Sequence, residues 1–297
     1  MHNNNNSQDA NSPQWLWLTA TLFSMVAFAA NSIFCRLALR SGDIDPQSFT
    51  TTRLLSGALF LSLLLLLKPG SSKKPGGNWR GGFYLFVYAY LFSLAYIQLD
   101  AGVGALILFA AVQLTMFGWG WKNGEKLRAR VLLGMLVAFS GLIVLLAPGG
   151  NAPGAISSFF MLAAGFAWGT YSVMGKRSVD AARDTTGNFL RSLPFVVAVT
   201  AVSLLQTPLV ITPTGLLYAV ASGVLASGAG YVVWYAVVKR LAAQTAATLQ
   251  LSVPVLASAA GVMLLNEPLS LRMVVASLIV LGGIALALLG PKPIQAV

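Results

Sequence analysis

Glu125-Lys-Leu127-Arg-Ala-Arg130 and, 142 residues later, Glu267-Pro-Leu269-Ser-Leu-Arg272 carry the same E-x-L-x-x-R pattern. Each copy stands between two apolar runs rich in small residues, and five such runs make up each half of the chain. An odd number of bilayer crossings returns the second copy of a repeat upside down. Inverted repeats of this kind are a recurring plan of membrane transport proteins.

Composition makes the bilayer the solvent. The 297 residues are 57% hydrophobic and 9% charged, with a mean hydropathy of +0.75, whereas a soluble domain carries about 25% charged residues. Ten runs approach the length of about 17–25 apolar residues that spanning requires. They are Trp15–Cys35, Pro46–Leu67, Gly81–Ile97, Val103–Trp121, Val131–Ala147, Ile156–Met174, Phe189–Gln206, Gly215–Val238, Ala243–Leu265 and Met273–Leu289. The runs are continuously apolar rather than alternating, which predicts helices and not a barrel. The expected fold is an all-α polytopic membrane protein of ten transmembrane helices, arranged as two inverted five-helix repeats. Residues 1–14 are polar and read as a cytoplasmic tail, followed by repeats over 15–147 and 156–290.

The formal charge of +11 does not signal nucleic acid, because of where the cations stand. Most lie in alternate connections, around Lys68–Arg80, Lys122–Arg130, Lys176–Arg183 and Lys239–Arg240, and in the tail at Lys292. The connections near Asp100, 147–155 and 206–213 hold none. This is the positive-inside pattern, which puts both termini in the cytoplasm and the chain in a bacterial inner membrane. The single cysteine, Cys35, excludes an internal disulfide and reads as a packing residue.

The duplication extends past the opening motif. At the same spacing Gly141 matches Gly283 and Ala105 matches Ala247; at 138 residues Arg53 matches Arg191 and Phe28-Ala29 matches Phe166-Ala167. The run Phe166-Ala-Trp-Gly-Thr-Tyr171, Arg53 and the two E-x-L-x-x-R copies together resemble the EamA repeat of the drug/metabolite transporter superfamily. The string from Asp100 to Thr115, DAGVGALILFAAVQLT, is similar more particularly to the bacterial aromatic amino acid exporters of that superfamily. The resemblance implies a central pathway lined by helices 1–4 and 6–9, with helices 5 and 10 at the periphery. The chain departs from the pattern at Ala30-Asn31, where a Trp-Gly pair is common.

No carboxylate falls inside a run: Asp43, Asp45, Asp100 and Glu267 sit at outer ends, and Asp9, Glu125, Asp180 and Asp184 at inner ones. The only histidine is His2. This argues against a buried proton relay, against a metal or cofactor, and against an intramembrane enzyme, which needs a nucleophile–base pair or metal ligands at depth. Two charges remain within runs, Arg53 and Arg191, each near the start of its helix. They are gate or substrate-carboxylate candidates, with snorkelling or bonding to loop carbonyls as the alternative. Pro194 and Pro254 are candidate hinges of the gates. Substrate-pathway candidates are the sparse polar and aromatic groups at depth: Asn31, Ser32, Tyr88, Phe92, Gln113, Trp168, Thr170, Tyr171, Gln250 and Ser252. Tyr84, Tyr88, Phe92 and Tyr96 recur every four residues and trace one helical face.

The function expected is export of amino acids, aromatic and other neutral ones, and similar small metabolites by alternating access. A proton-coupled exporter of broad drug and metabolite specificity is the alternative. The expected partners are a small-molecule substrate and lipid, with no nucleic acid. The glycines at 134, 141, 282 and 283 permit a monomer or a homodimer. The two E-x-L-x-x-R copies face opposite sides and read as structural markers of helix connections.

Overall fold

The computed structural model describes residues 14–67, 73–123, 129–147, 152–205, 208–241, 246, 249–250 and 252–288. These form ten helices: α1 (Gln14–Arg40), α2 (Pro46–Leu67), α3 (Trp79–Tyr96), α4 (Ala101–Lys122), α5 (Ala129–Leu146), α6 (Ala155–Gly175), α7 (Ala181–Leu204), α8 (Pro213–Val238), α9 (Ser252–Leu265) and α10 (Leu271–Leu288). Six of them, α1, α2, α4, α6, α7 and α8, are long and apolar enough to cross a bilayer. The first E-x-L-x-x-R copy falls outside the described residues except for Ala129 and Arg130.

Polar residues set several helix starts. Asp180 caps α7 by accepting from the N–H groups of Ala182 and Arg183 at 3.0 and 3.2 Å. The helix thus begins eight residues before the apolar run at Phe189. Asn78 caps α3, and Thr212 with Pro213 opens α8. At the other extreme, α1 runs past Cys35 to Arg40 and so draws Arg36 into the helical bundle.

The helices interleave. α1 packs on α8 and α9, α2 on α7 and α8, α3 on α6 and α7, and α4 on α6 and α9. Replacing each helix by the one five positions away maps this set of contacts onto itself. α5 and α10 pack chiefly on each other. Connections gather at two ends. At one, Asp43 and Asp45 meet Val210 and Thr212, Gln98 meets Ser157, and Arg272 reaches Ala147. At the other, residues 74–78 meet α7, and Lys239 reaches Val179. We call these the acidic and the basic end, after the charges they carry.

The α5–α10 seam uses the glycines first read as compatible with a dimer face. A Cβ on Gly283 would overlap the backbone of Ala138 and Gly134, and one on Gly141 would overlap Val280 and Ile279. Three of those four glycines are therefore engaged within the chain; only Gly282 has open space around it. In lipid, where apolar surface gains little by association, such close backbone approach supplies much of the attraction. Gly283→Leu is expected to lower the melting temperature of the detergent-solubilised protein, overpacking costing about 1–3 kcal/mol. Gly282→Leu should leave it unchanged.

Candidate functional site

Arg53, in the second turn of α2, is wholly buried. Its Nε donates to Ser227 Oγ at 2.9 Å, and its Nη2 donates to Tyr88 Oη at 3.2 Å and Tyr231 Oη at 2.7 Å. The guanidinium also lies 5.2 Å from the ring centroids of both Tyr88 and Phe92. Snorkelling, one alternative for this residue, does not occur: the side chain points into the protein, not to an interface. Burial of an arginine costs about 3 kcal/mol even on insertion scales, and here hydroxyls and ring faces offset it, not a carboxylate. Both ion pairs among the described residues belong to Arg36. Arg53 Nη1 is buried with no partner in the protein.

The surroundings are built by α8. Residues Ser222–Ala229 form a π-helical segment within it. A π-turn bonds residues five apart instead of four, and this brings Ser222 and Ser227 closer to one face than an α-turn would, with Tyr231 following. Ser222 Oγ donates to Asn31 Oδ1 at 2.6 Å, while Asn31 Nδ2 donates to Tyr88 Oη at 3.0 Å. Gly223 lets α8 touch α2, since a Cβ there would overlap Ser56 Oγ and the Arg53 carbonyl. Phe28, Trp168, Tyr171, Tyr231, Trp234 and Tyr235 complete an aromatic layer, with Trp168 and Tyr231 4.6 Å apart. The three α8 residues of this group, Tyr231, Trp234 and Tyr235, are buried in the interior.

The other expected residues divide. Asn31, Tyr88, Phe92, Trp168 and Tyr171 join the central cluster. Ser32 is buried against Tyr96. Gln250 accepts from Trp168 Nε1 at 3.3 Å and extends the layer to α9. Gln113 is buried on the side of α4 that faces α5, away from Arg53. Ser252 is exposed, its hydroxyl turned back onto the Leu249 carbonyl, and it is not part of the central cluster. Arg191 is not the counterpart of Arg53 in contact: it is half-buried and bonds the carbonyls of Gly76 and Gly187 at 2.6 and 3.0 Å. Those are loop and helix-end carbonyls, the alternative considered for it. Pro194 lies inside α7, and Pro254 is buried near the start of α9.

A cavity of about 990 Å³ opens at the basic end between α3, α4, α6 and α7. Thr170 and Met174 lie along α6, with Trp79, Tyr84, Trp119 and Phe195 on the walls and Arg80, Lys122 and Arg177 among the lining cations. Tyr84 stands one turn before Tyr88, so the cavity stops next to the layer that covers Arg53.

The acidic end is sealed by a group that hydropathy conceals. Arg36 Nε pairs with Glu267 Oε1 at 3.1 Å and its Nη2 with Asp100 Oδ1 at 3.2 Å, while Nη1 donates to the carbonyls of Tyr96 and Ile97. Glu267 Oε2 accepts from the Ala101 N–H at 2.8 Å. The second E-x-L-x-x-R copy is thus more than a marker of a connection: its glutamate ties α1 and the α3–α4 corner to the α9–α10 corner. Burial pushes the Glu267 carboxyl above its usual range and Asp100 adds to this, whereas Ala101 and Arg36 pull it down.

The EamA-like transporter family profile matches twice, over residues 15–147 and 155–289. The chain therefore belongs to the EamA-like transporter family. It is 49% identical over 271 residues to an uncharacterized protein of Pseudomonas aeruginosa, spanning 91% of this chain and 94% of that one. A probable amino-acid metabolite efflux pump of Salmonella typhimurium is 25% identical over 216 residues, 68% of this chain and 72% of the pump; its Escherichia coli counterpart is 24% identical over the same length. A solved crystal structure superposes with a TM-score of 0.66 at 22% identity, covering 91% of this chain and 98% of that one, which shows the fold alone.

Arg36→Met leaves Glu267 and Asp100 facing each other without a cation. The acidic end should then open at neutral pH, and Cys35, buried one residue away, should react faster with a membrane-impermeant maleimide added on that side. A gain of about tenfold corresponds to about 1.4 kcal/mol of lost closure. A carboxyl whose pKa is raised in the closed end binds a proton more readily there than when exposed, so lowering the pH should restore closure in this variant. Labelling that stays at the native rate at every pH would remove the latch role.

Proposed function

We propose that this protein exports small amphipathic metabolites bearing a carboxylate, amino acids among them, across the bacterial inner membrane by alternating access. The observation that carries the reading is the buried, acid-free Arg53 with its unpartnered Nη1, set in an aromatic layer next to a cavity. A substrate carboxylate supplies the missing acceptor, and the rings of Phe28, Tyr88, Trp168 and Tyr231 suit an apolar or planar side chain. The similarity of Asp100–Thr115 to aromatic amino acid exporters and the distant likeness to probable amino-acid metabolite efflux pumps agree with it.

The basic end faces the cytoplasm in this reading, with the positive-inside distribution as support. The conformation is then open inward and latched outward by Arg36, Asp100 and Glu267. The exchange symmetry of the helix contacts supports two inverted repeats, over residues 15–147 and 156–290, that rock about the central layer. Arg53 serves as the binding-site gate, and Arg191, anchored to Gly76, ties the α2–α3 connection to α7 at the inner side. Pro194 and Pro254 are the places where α7 and α9 can flex. With no carboxylate at membrane depth among the described residues, movement down a gradient needs no buried acidic proton relay.

In proteoliposomes, Arg53→Gln should reduce saturable uptake of labelled phenylalanine at least about tenfold, the loss expected for a charge-assisted hydrogen bond of about 1.5–3 kcal/mol. Arg53→Lys should retain part of it. Unchanged uptake in Arg53→Gln would refute the assignment, and transport that reaches equilibrium only with an imposed pH gradient would favour the proton-coupled drug exporter.

A further inference from the structure

The central site offers a guanidinium for a negative charge and, among the described residues, no carboxylate for a positive one. Among the described residues, carboxylates occur only at the two ends: Asp43, Asp45, Asp100 and Glu267 at the acidic end, Asp180 and Asp184 at the basic end. The neutral acceptors around Arg53 are already engaged. Tyr88 Oη receives bonds from Asn31, Arg53 and Tyr231; Asn31 Oδ1 receives Ser222; Tyr231 Oη and Ser227 Oγ receive Arg53. The ring faces of Tyr88 and Phe92, which could hold an ammonium, lie under the guanidinium. Of the buried groups that lack partners in this neighbourhood, Arg53 Nη1 and, one turn along α8 from Tyr231, Trp234 Nε1 can only donate, while the third, Tyr171 Oη, is an uncharged hydroxyl. The cavity leading to the layer repeats the sign, for Arg80, Lys122 and Arg177 line it against a single acid, Asp184, whose oxygens already accept from the Gly77 N–H and Ser178 Oγ.

From this we infer that the site selects organic monoanions, a carboxylate joined to a planar apolar group with no ammonium beside it, over zwitterionic amino acids of the same shape. The inference rests on the transport reading above and narrows its substrate class. In an amino acid, the ammonium sits on the carbon next to the carboxylate. When the carboxylate reaches Arg53, that ammonium is carried into a buried layer beside a guanidinium, with no carboxylate to pair it and with the ring faces of Tyr88 and Phe92 already under the guanidinium. A carboxylate without the ammonium makes the same contact and the same ring packing at none of that cost.

Three probes share a phenyl ring on a two-carbon linker and differ in the charged groups it bears: 3-phenylpropionate a carboxylate, 2-phenylethylamine an ammonium and L-phenylalanine both. Full-length protein in proteoliposomes is assayed for inhibition of labelled 3-phenylpropionate and labelled phenylalanine counterflow, and detergent-solubilised protein for ligand-induced thermal stabilisation. The expected order is phenylpropionate tighter than phenylalanine by at least about tenfold, with phenylethylamine inert, as a site of one sign dictates. Arg53→Gln should erase the preference of phenylpropionate over phenylalanine, and Arg53→Lys should keep the order, which separates charge reading from misfolding. Phenylalanine binding as tightly as phenylpropionate, or tighter, overturns the inference and leaves the transport reading standing. Absence of mediated flux for every probe overturns both.

Discussion

A guanidinium sealed inside a membrane protein is the constraint that the centre of this structure answers. Arg53 cannot reach water, has no carboxylate to meet it, and still must have its donors occupied. Three helices supply what is needed. α3 gives Tyr88 and a ring face from Phe92, α1 gives Asn31 to hold Tyr88, and α8 gives Ser227 and Tyr231. The contact at Gly223 and the π-helical stretch of α8 are consequences of the same demand. A regular α-helix would turn Ser222 and Ser227 away from a common line and leave one partner short. One nitrogen of the guanidinium, Nη1, is left without a protein partner.

The two ends answer charge in opposite ways. At the acidic end, Arg36 is offset by two carboxylates and two carbonyls, and the result is a seal across the halves of the chain. At the basic end, backbone carries the junction: Gly76 and Gly77 dock on Arg183, Asp184 and Arg191 of α7, with Gly77 at φ +66°. Beside that junction, cations line a cavity. An ion-pair network closes one end, while a basic cavity opens at the other.

The sequence exposes much of this to a reader who asks which residues do not belong in lipid. Arg53, Asn31, Tyr88 and Trp168 stand out as polar or amphipathic groups in apolar runs, and they assemble. Ser252 stands out equally and does not, because its hydroxyl is satisfied by its own helix. Gln113 is buried but faces α5, since one helix has several buried faces and the sequence does not say which neighbour each will meet. Arg36 escapes for the opposite reason. A charge at the edge of an apolar run reads as the end of a span, and only Glu267, 231 residues away, makes it an interior residue. Ser222 and Ser227 are unremarkable until the π-turn aligns them.

What the sequence determines alone is the class of object: membrane solvent from composition, helices from continuous apolarity, the duplication from residues that recur at 142 and 138, and a charge-poor interior from where the acids are placed. These are counts and spacings, and they need no partner. Tertiary structure decided which of two matched arginines is buried. Arg53 meets hydroxyls on α3 and α8, while Arg191 meets the carbonyl of Gly76. It also decided that Glu267 latches rather than marks a loop. The physical reason is common to both. A charge in lipid is placed by its counter-groups, and those lie on helices remote in the chain, brought within reach only by packing.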